Sequence, residues 1–110
     1  MQNNLTKARF FTLPDGIPAS GRNIEHLGEG NRMAARAIAL AAGTFVPPHA
    51  GPEVFLYVLE GQGRLLAAGD AIELLPGRVV HCPENLVHSL EATTALRLLG
   101  VTAAVQSAPG

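Results

Sequence analysis

The sequence predicts an all-β domain, either a barrel or a sandwich. Turn residues recur at short intervals, and the segments between them are short and rich in apolar residues. No segment has a convincing helical periodicity, although the alanines of residues 33–42 favour a helix in isolation. The chain has 110 residues and a hydrophobic content of 47%. These values fit one globular domain that spans residues 1–110.

The first part of the chain contains three predicted strands. Ala8–Leu13, with two adjacent phenylalanines, ends at a Pro-Asp-Gly turn, and Arg22–Leu27 ends at a Gly-Glu-Gly turn. In the third segment, Met33–Ala42, Ile38 and Leu40 alternate with alanines. Because β neighbours can override helix propensity, we predict a strand with small side chains.

After the Pro-Pro-His segment that ends at His49, the pattern becomes regular. Val54–Leu59 is apolar at both sets of alternating positions, which is typical of a strand covered on both sides, either by a second sheet or by a partner subunit. Each later strand begins or ends near a turn signal. These predicted strands are Arg64–Ala68, Ala71–Leu75, Arg78–Cys82, Leu86–Ala92 and Ala95–Val105.

Composition excludes several classes of partner. The net charge of −1 and the absence of Trp argue against nucleic-acid binding. No apolar run is long enough to span a membrane, and the polar N-terminus lacks a signal-peptide core, which predicts a cytoplasmic protein. The single cysteine, Cys82, excludes an internal disulfide and is expected to be a small buried side chain.

The second half of the chain resembles a small single-domain cupin. The matching residues are Val58-Leu59-Glu60-Gly61-Gln62-Gly63, Gly69, Leu74, Pro76-Gly77, Pro83, Asn85 and His88. In the second cupin motif, Asn85 replaces a glycine and tolerates the same left-handed geometry, and Ala92 replaces a usual asparagine. The resemblance implies the cupin double-stranded β-helix, a jelly-roll barrel covering about residues 33–105.

The first cupin motif is incomplete. Its pattern is a glycine, five residues, His-x-His, three or four residues, Glu, six residues and glycine. Gly43 and His49 match the opening, and Gly51 then stands at the second histidine; in a second alignment His49 is itself the second histidine. The acid position falls on Val54, so Glu53 reaches it only through a bulge, since a one-residue slip turns a side chain to the other face.

The resemblance implies a pocket that contains His49 and His88. With Glu53 they would form a site of two histidines and a carboxylate for one divalent transition metal: Fe, Mn, Ni, Co or Zn. The incomplete motif leaves a second interpretation open, in which no metal is bound and the histidines are polar pocket residues. His81 and His26 are interpreted as strand or surface histidines.

Two functions follow from these alternatives. The first is binding of a small molecule, an organic acid or a sugar-like compound. The second is a metal-dependent enzyme, a dioxygenase, isomerase or decarboxylase, that acts on a small acid or carbonyl compound. Small cupins commonly pair, which predicts a homodimer. In that dimer Ala8–Leu13 is either exchanged with the partner or folded onto its own barrel.

Overall fold

The computed structural model describes residues 7–103, which contain strands and no helix. The nine strands of this region are β1 (Arg22–Glu29), β2 (Met33–Leu40), β3 (Phe45–His49), β4 (Val54–Glu60), β5 (Gly63–Ala67), β6 (Asp70–Leu74), β7 (Val79–Cys82), β8 (His88–Ala92) and β9 (Leu96–Ala103). The all-β prediction is therefore confirmed. Residues 104 and 105, which the sequence assigned to the last strand, lie outside the described residues.

The strands form two antiparallel sheets. One has the order β1-β2-β9-β4-β7, and the other has the order β3-β8-β5-β6. Side chains from β2 to β9 are buried in one shared hydrophobic core, to which both sheets contribute, whereas β1 has no buried residue. The largest fully buried side chains are Leu40, Leu65, Leu74, Leu96, Leu98, Val58 and Cys82.

The alanine-rich segment forms the strand β2, as predicted, although its composition favours a helix. It lies between β1 and β9 and pairs with both along its length. Leu40 is completely buried in the core, whereas Ala37 and Ala39 on the opposite face are each 8% exposed. Burial on both faces and two neighbouring strands explain why the β environment overrides helix propensity here.

Strand β3 is absent from the prediction because it contains Pro47 and Pro48. Within residues 7–103 it is an edge strand whose single neighbour is β8, and its register shifts between Val46 and His49. A proline has no N–H group to donate, so it is tolerated on an edge strand or at an irregularity. Both conditions hold for these two prolines.

The predicted strand Ala8–Leu13 is wrong for the single chain, because these residues have no regular secondary structure. Side chains attach the segment instead of backbone pairing. The Arg9 guanidinium donates a hydrogen bond to the carbonyl oxygen of Glu29 at 2.8 Å, and the Phe11 ring lies against Gly28. Phe10 is 88% exposed, so its apolar character does not reflect a place in the core of this chain.

Two turns place non-glycine residues in the left-handed region. Asn85 has a φ of 67°, which confirms that it takes over the conformation of the glycine it replaces. Ala68 has a φ of 52° and is followed by Gly69 with a φ of 81°. These two residues form the tight connection between β5 and β6, where positive φ matches the twist of the hairpin.

Candidate functional site

A cavity of about 90 Å³ lies between the two sheets. Its lining comes from both of them and is mostly aliphatic, with four basic side chains and no acidic one. The lining residues are Arg22, Ile24, Arg36, Ile38, Leu40, Val46, His49, Val54, Leu56, His88 and Leu90. An apolar space with a few polar groups is the usual composition of a small-molecule site.

His49 and His88 lie side by side in this cavity. They are register partners on β3 and β8, and their ring centroids are 4.6 Å apart with the planes tilted by 52°. His88 is only 7% exposed, whereas His49 is exposed to solvent. His88 is therefore an interior group, and His49 lies at the mouth of the cavity.

Both imidazoles are oriented by backbone carbonyl groups. The Nδ1–H of His49 donates to the oxygen of Pro47 at 3.1 Å, and the Nδ1–H of His88 donates to the oxygen of Leu86 at 2.9 Å. A carbonyl oxygen can only accept, so the proton of each neutral ring is on Nδ1 and the lone pair is on Nε2. The pair can therefore accept hydrogen bonds from a ligand or coordinate a metal ion through Nε2.

Arg36 brings a half-buried, positively charged side chain to the same cavity. Its Nε atom is buried and has no hydrogen-bond partner in the described part of the chain. Its side chain lines the cavity together with that of Arg22, which lies at the more exposed start of β1. A buried charged donor without a partner is costly, so this atom marks a place where an acceptor is expected.

The structure does not bring Glu53 to His49 and His88. Glu53 precedes β4 without a bulge, and its carboxylate accepts a hydrogen bond from Nε2 of His81 at 2.6 Å. Both side chains are on the outer face, where the His81 ring also contacts Phe55. Val54 occupies the inward position instead. Because side chains alternate along a strand, the one-residue offset turns Glu53 to the outer face.

His26 is a surface residue and Cys82 is a buried core residue. His26 is exposed on the edge strand β1 and is not among the residues that line the cavity. Cys82 is 1% exposed, and burial raises the pKa of its thiol above the ordinary value. A thiol of this kind is an apolar core group rather than a nucleophile.

The residues present fit a metal ion only in part. His49 and His88 supply two nitrogen ligands with carbonyl partners on Nδ1, which is a common arrangement around metal-binding histidines. No group of three or more His, Cys, Asp or Glu side chains within residues 7–103 is arranged to hold a metal ion. The described residues therefore do not assemble the set of two histidines and a carboxylate.

Gly100 lies next to several residues that line the cavity. It pairs with Arg36 on one side and with Leu56 on the other. A Cβ atom built on Gly100 would meet side-chain carbons of Ile38 and Leu56 at 3.4 and 3.5 Å. Both belong to the lining, so the missing side chain leaves space above the strand.

Arg22 and Arg36 of the cavity are not predicted from the sequence. A usable signal exists for Arg36, since it stands two and four residues before Ile38 and Leu40, in the inward phase of the alternation. A charged residue in the buried phase of a strand is unusual unless it is paired or functional. Arg22 has no such signal, because it opens an exposed edge strand.

Comparison with known proteins identifies the fold. The chain has a TM-score of 0.76 and 18% identity with a conserved protein of unknown function from Streptococcus pyogenes, covering 96% of this chain and 95% of that one. The TM-score with KdgF from Halomonas sp. is 0.78, with 17% identity and coverage of 92% and 97%. A point mutant of salicylate 1,2-dioxygenase from Pseudoaminobacter salicylatoxidans gives 0.69, 22% identity, and coverage of 77% of this chain and 28% of that one. At these identities the likeness shows the fold alone.

The family assignment rests on the sequence itself. No curated protein matches the chain. A separate finding is that no helix of the described residues is long and apolar enough to cross a membrane. The family model described as "Cupin domain" matches residues 38–102, which is more than half of the chain. This protein therefore belongs to the cupin family.

Proposed function

We propose that this cupin binds a small polar molecule, an organic acid or a sugar-like compound, in the cavity between its sheets. The observation that carries the proposal is the pair His49 and His88. Their Nδ1 atoms are fixed by carbonyl groups, which leaves two Nε2 acceptors beside an otherwise mostly apolar space. Such an arrangement orients a ligand through a few polar contacts, while the aliphatic walls exclude water.

Histidine resonances in NMR spectra test this proposal directly. We expect small acids and sugars from a titration panel to shift the ring signals of His49 and His88, and to leave those of His81 unchanged. His49→Ala and His88→Gln should each weaken the binding about tenfold or more, because each removes an oriented hydrogen bond. His81→Ala on the outer face is the matched control. The proposal fails if no member of the panel binds, or if the control weakens binding equally.

A metal-dependent enzyme acting on a small acid or carbonyl compound is the second candidate. It is favoured by the carbonyl partners of both Nδ1 atoms, which leave Nε2 available to a divalent transition metal. Elemental analysis of protein purified without a histidine tag tests it. Stoichiometric metal that a chelator removes, and that His88→Gln loses, would support this candidate. Full metal content in that variant would contradict it.

We also propose that the protein is a homodimer that uses the outer face of β4 and β7. Phe55, Tyr57 and Val79 project from this face and are 52%, 40% and 57% exposed. A second copy would bury this apolar surface. A small domain has a modest core of its own, so burying additional apolar area in a dimer would stabilise it. Sedimentation velocity should show a dimer that Phe55→Arg dissociates. If removal of residues 1–13 dissociates the dimer and Phe55→Arg does not, the result would favour a dimer formed by exchange of the N-terminal segment.

The cytoplasmic location of the protein stays a prediction.

A further inference from the structure

We infer that the ligand is a short-chain carboxylate and not a sugar, and that Arg36 binds its charged group. The inference rests on the proposed function, because it concerns the ligand of the same cavity. It follows from three features: an unpartnered guanidinium nitrogen, the charge of the lining, and the size of the space.

The first feature is the position of Arg36. Its side chain projects from the middle of β2 into the cavity, where Nε is buried and unpartnered within the described residues. Leaving such a charged donor without an acceptor costs more than leaving a neutral one. A carboxylate matches the planar fork of the guanidinium and would satisfy Nε together with a terminal nitrogen.

The second feature is the absence of a competing acid. Among the residues that the structure describes, no Asp or Glu lines the cavity. In the described part of the chain, three glutamates are held by basic side chains elsewhere: Glu53 by His81, Glu60 by Arg97, and Glu91 by Arg64. With Arg22 also in the lining, the cavity is positively charged, which favours an anion over a neutral polyol.

The third feature is size. The cavity volume is about 90 Å³, several times the ~10–15 Å³ that a single water molecule needs. It is far below the ~300 Å³ at which drug-sized ligand pockets begin. A compact acid suits this space better than a sugar ring does. The Nε2 acceptors of His49 and His88 add a preference for an acid that carries a hydroxyl group, which can donate to them.

Matched pairs of probes separate charge from shape. Each carboxylate is compared with its neutral amide: acetate with acetamide, glycolate with glycolamide, and lactate with lactamide. We expect the wild-type protein to bind each carboxylate about 10- to 100-fold more tightly than its amide in calorimetric or NMR titrations, as charge-assisted hydrogen bonds predict. We also expect glycolate to bind more tightly than acetate. This comparison requires no variant to fold.

Variants then assign the charge recognition to a residue. Arg36→Met should remove the preference for the carboxylate, Arg22→Met should reduce it less because Arg22 is more exposed, and Arg64→Met on the outer face is the matched control. Amides that bind as tightly as carboxylates would overturn the inference and leave the proposed function standing. An unchanged preference in Arg36→Met would overturn the assignment to Arg36. Failure of all these acids and amides to bind would overturn the inference, and the proposed function would fall with it only if the sugars of the titration panel also fail to bind.

Discussion

Replacing Gly100 by alanine should make the protein more stable and less able to bind its ligand. The new methyl group would lie 3.4 to 3.9 Å from Ile38, Leu56 and Val54, within ordinary van der Waals contact. Gly100 has no positive φ, so its backbone accepts a side chain without strain. The substitution therefore fills existing space rather than forcing the sheets apart.

The magnitude follows from two contributions. Glycine inside a strand costs about 0.5–1 kcal/mol relative to alanine through backbone entropy, and burying one more methyl group contributes about 0.8 kcal/mol. We therefore expect the free energy of unfolding to rise by about 1–2 kcal/mol, and Tm to rise by about 4 °C or more. The added methyl group would lie against Ile38, Leu56 and Val54, which line the cavity, so it would leave less space for a ligand. Binding of glycolate should weaken about tenfold or more.

Urea unfolding followed by far-UV circular dichroism measures the stability, since the chain has no Trp. Titration with glycolate measures the binding. Gly16→Ala is the control, because nothing lies within 4 Å of a Cβ atom at that position; it should leave glycolate binding unchanged. A Gly100→Ala protein that is less stable than wild type would show that the space is not free. Unchanged glycolate affinity would show that the ligand does not occupy this cavity.

Three further substitutions test the turns and the core. Gly61→Ala should destabilise the protein by about 2–4 kcal/mol in urea unfolding, because Gly61 has a φ of 89° and a Cβ atom would collide with the Ala95 carbonyl oxygen; a cost below about 1 kcal/mol would contradict this. Ala68→Asn should raise the stability by about 1 kcal/mol, since asparagine tolerates the left-handed turn better than alanine, and a loss would disprove the turn geometry. Burial raises the pKa of the Cys82 thiol above 9.0, the pKa it has in the unfolded chain. The thiol therefore contributes to stability below pH 9.0, and this contribution falls at higher pH because the unfolded chain loses the proton first. The loss is at most about 1.4 kcal/mol per pH unit. Cys82→Ala should therefore lose less stability between neutral and alkaline pH than wild type does; equal losses would refute the assignment.

Much of the fold is readable from the sequence because turns leave strong local signals. Asn85 in place of a glycine predicts a left-handed residue, and the structure has one there. Ala8–Leu13 shows the limit of such reasoning. Its phenylalanines resemble a strand, yet in the single chain they have no backbone ladder to join. Local composition does not reveal whether a partner strand is available.

The site is harder to read, because its members come from distant strands. The pairing of His49 with His88 follows from the cupin motifs, whose spacing is fixed along the chain. The orientation of Glu53 depends on one residue of register, which a sequence pattern leaves open. Arg36 shares the alternation of Ile38 and Leu40, but this signal is weak because the alanines of the segment also favour a helix. Burial of a single nitrogen atom has no sequence signature.

The two arginines of the cavity have a further consequence for how this barrel could change its ligand. Arg22 and Arg36 both precede residue 38, where the match to the cupin model begins. The histidines, in contrast, lie within the matched residues. The residues proposed to select a charged ligand and the residues that match the cupin family are thus located in separate stretches of the chain. Substitutions in β1 and β2 could change the ligand from an acid to a neutral compound and leave the turn residues of the cupin motifs unchanged. Ligand specificity can therefore diverge while the fold is preserved.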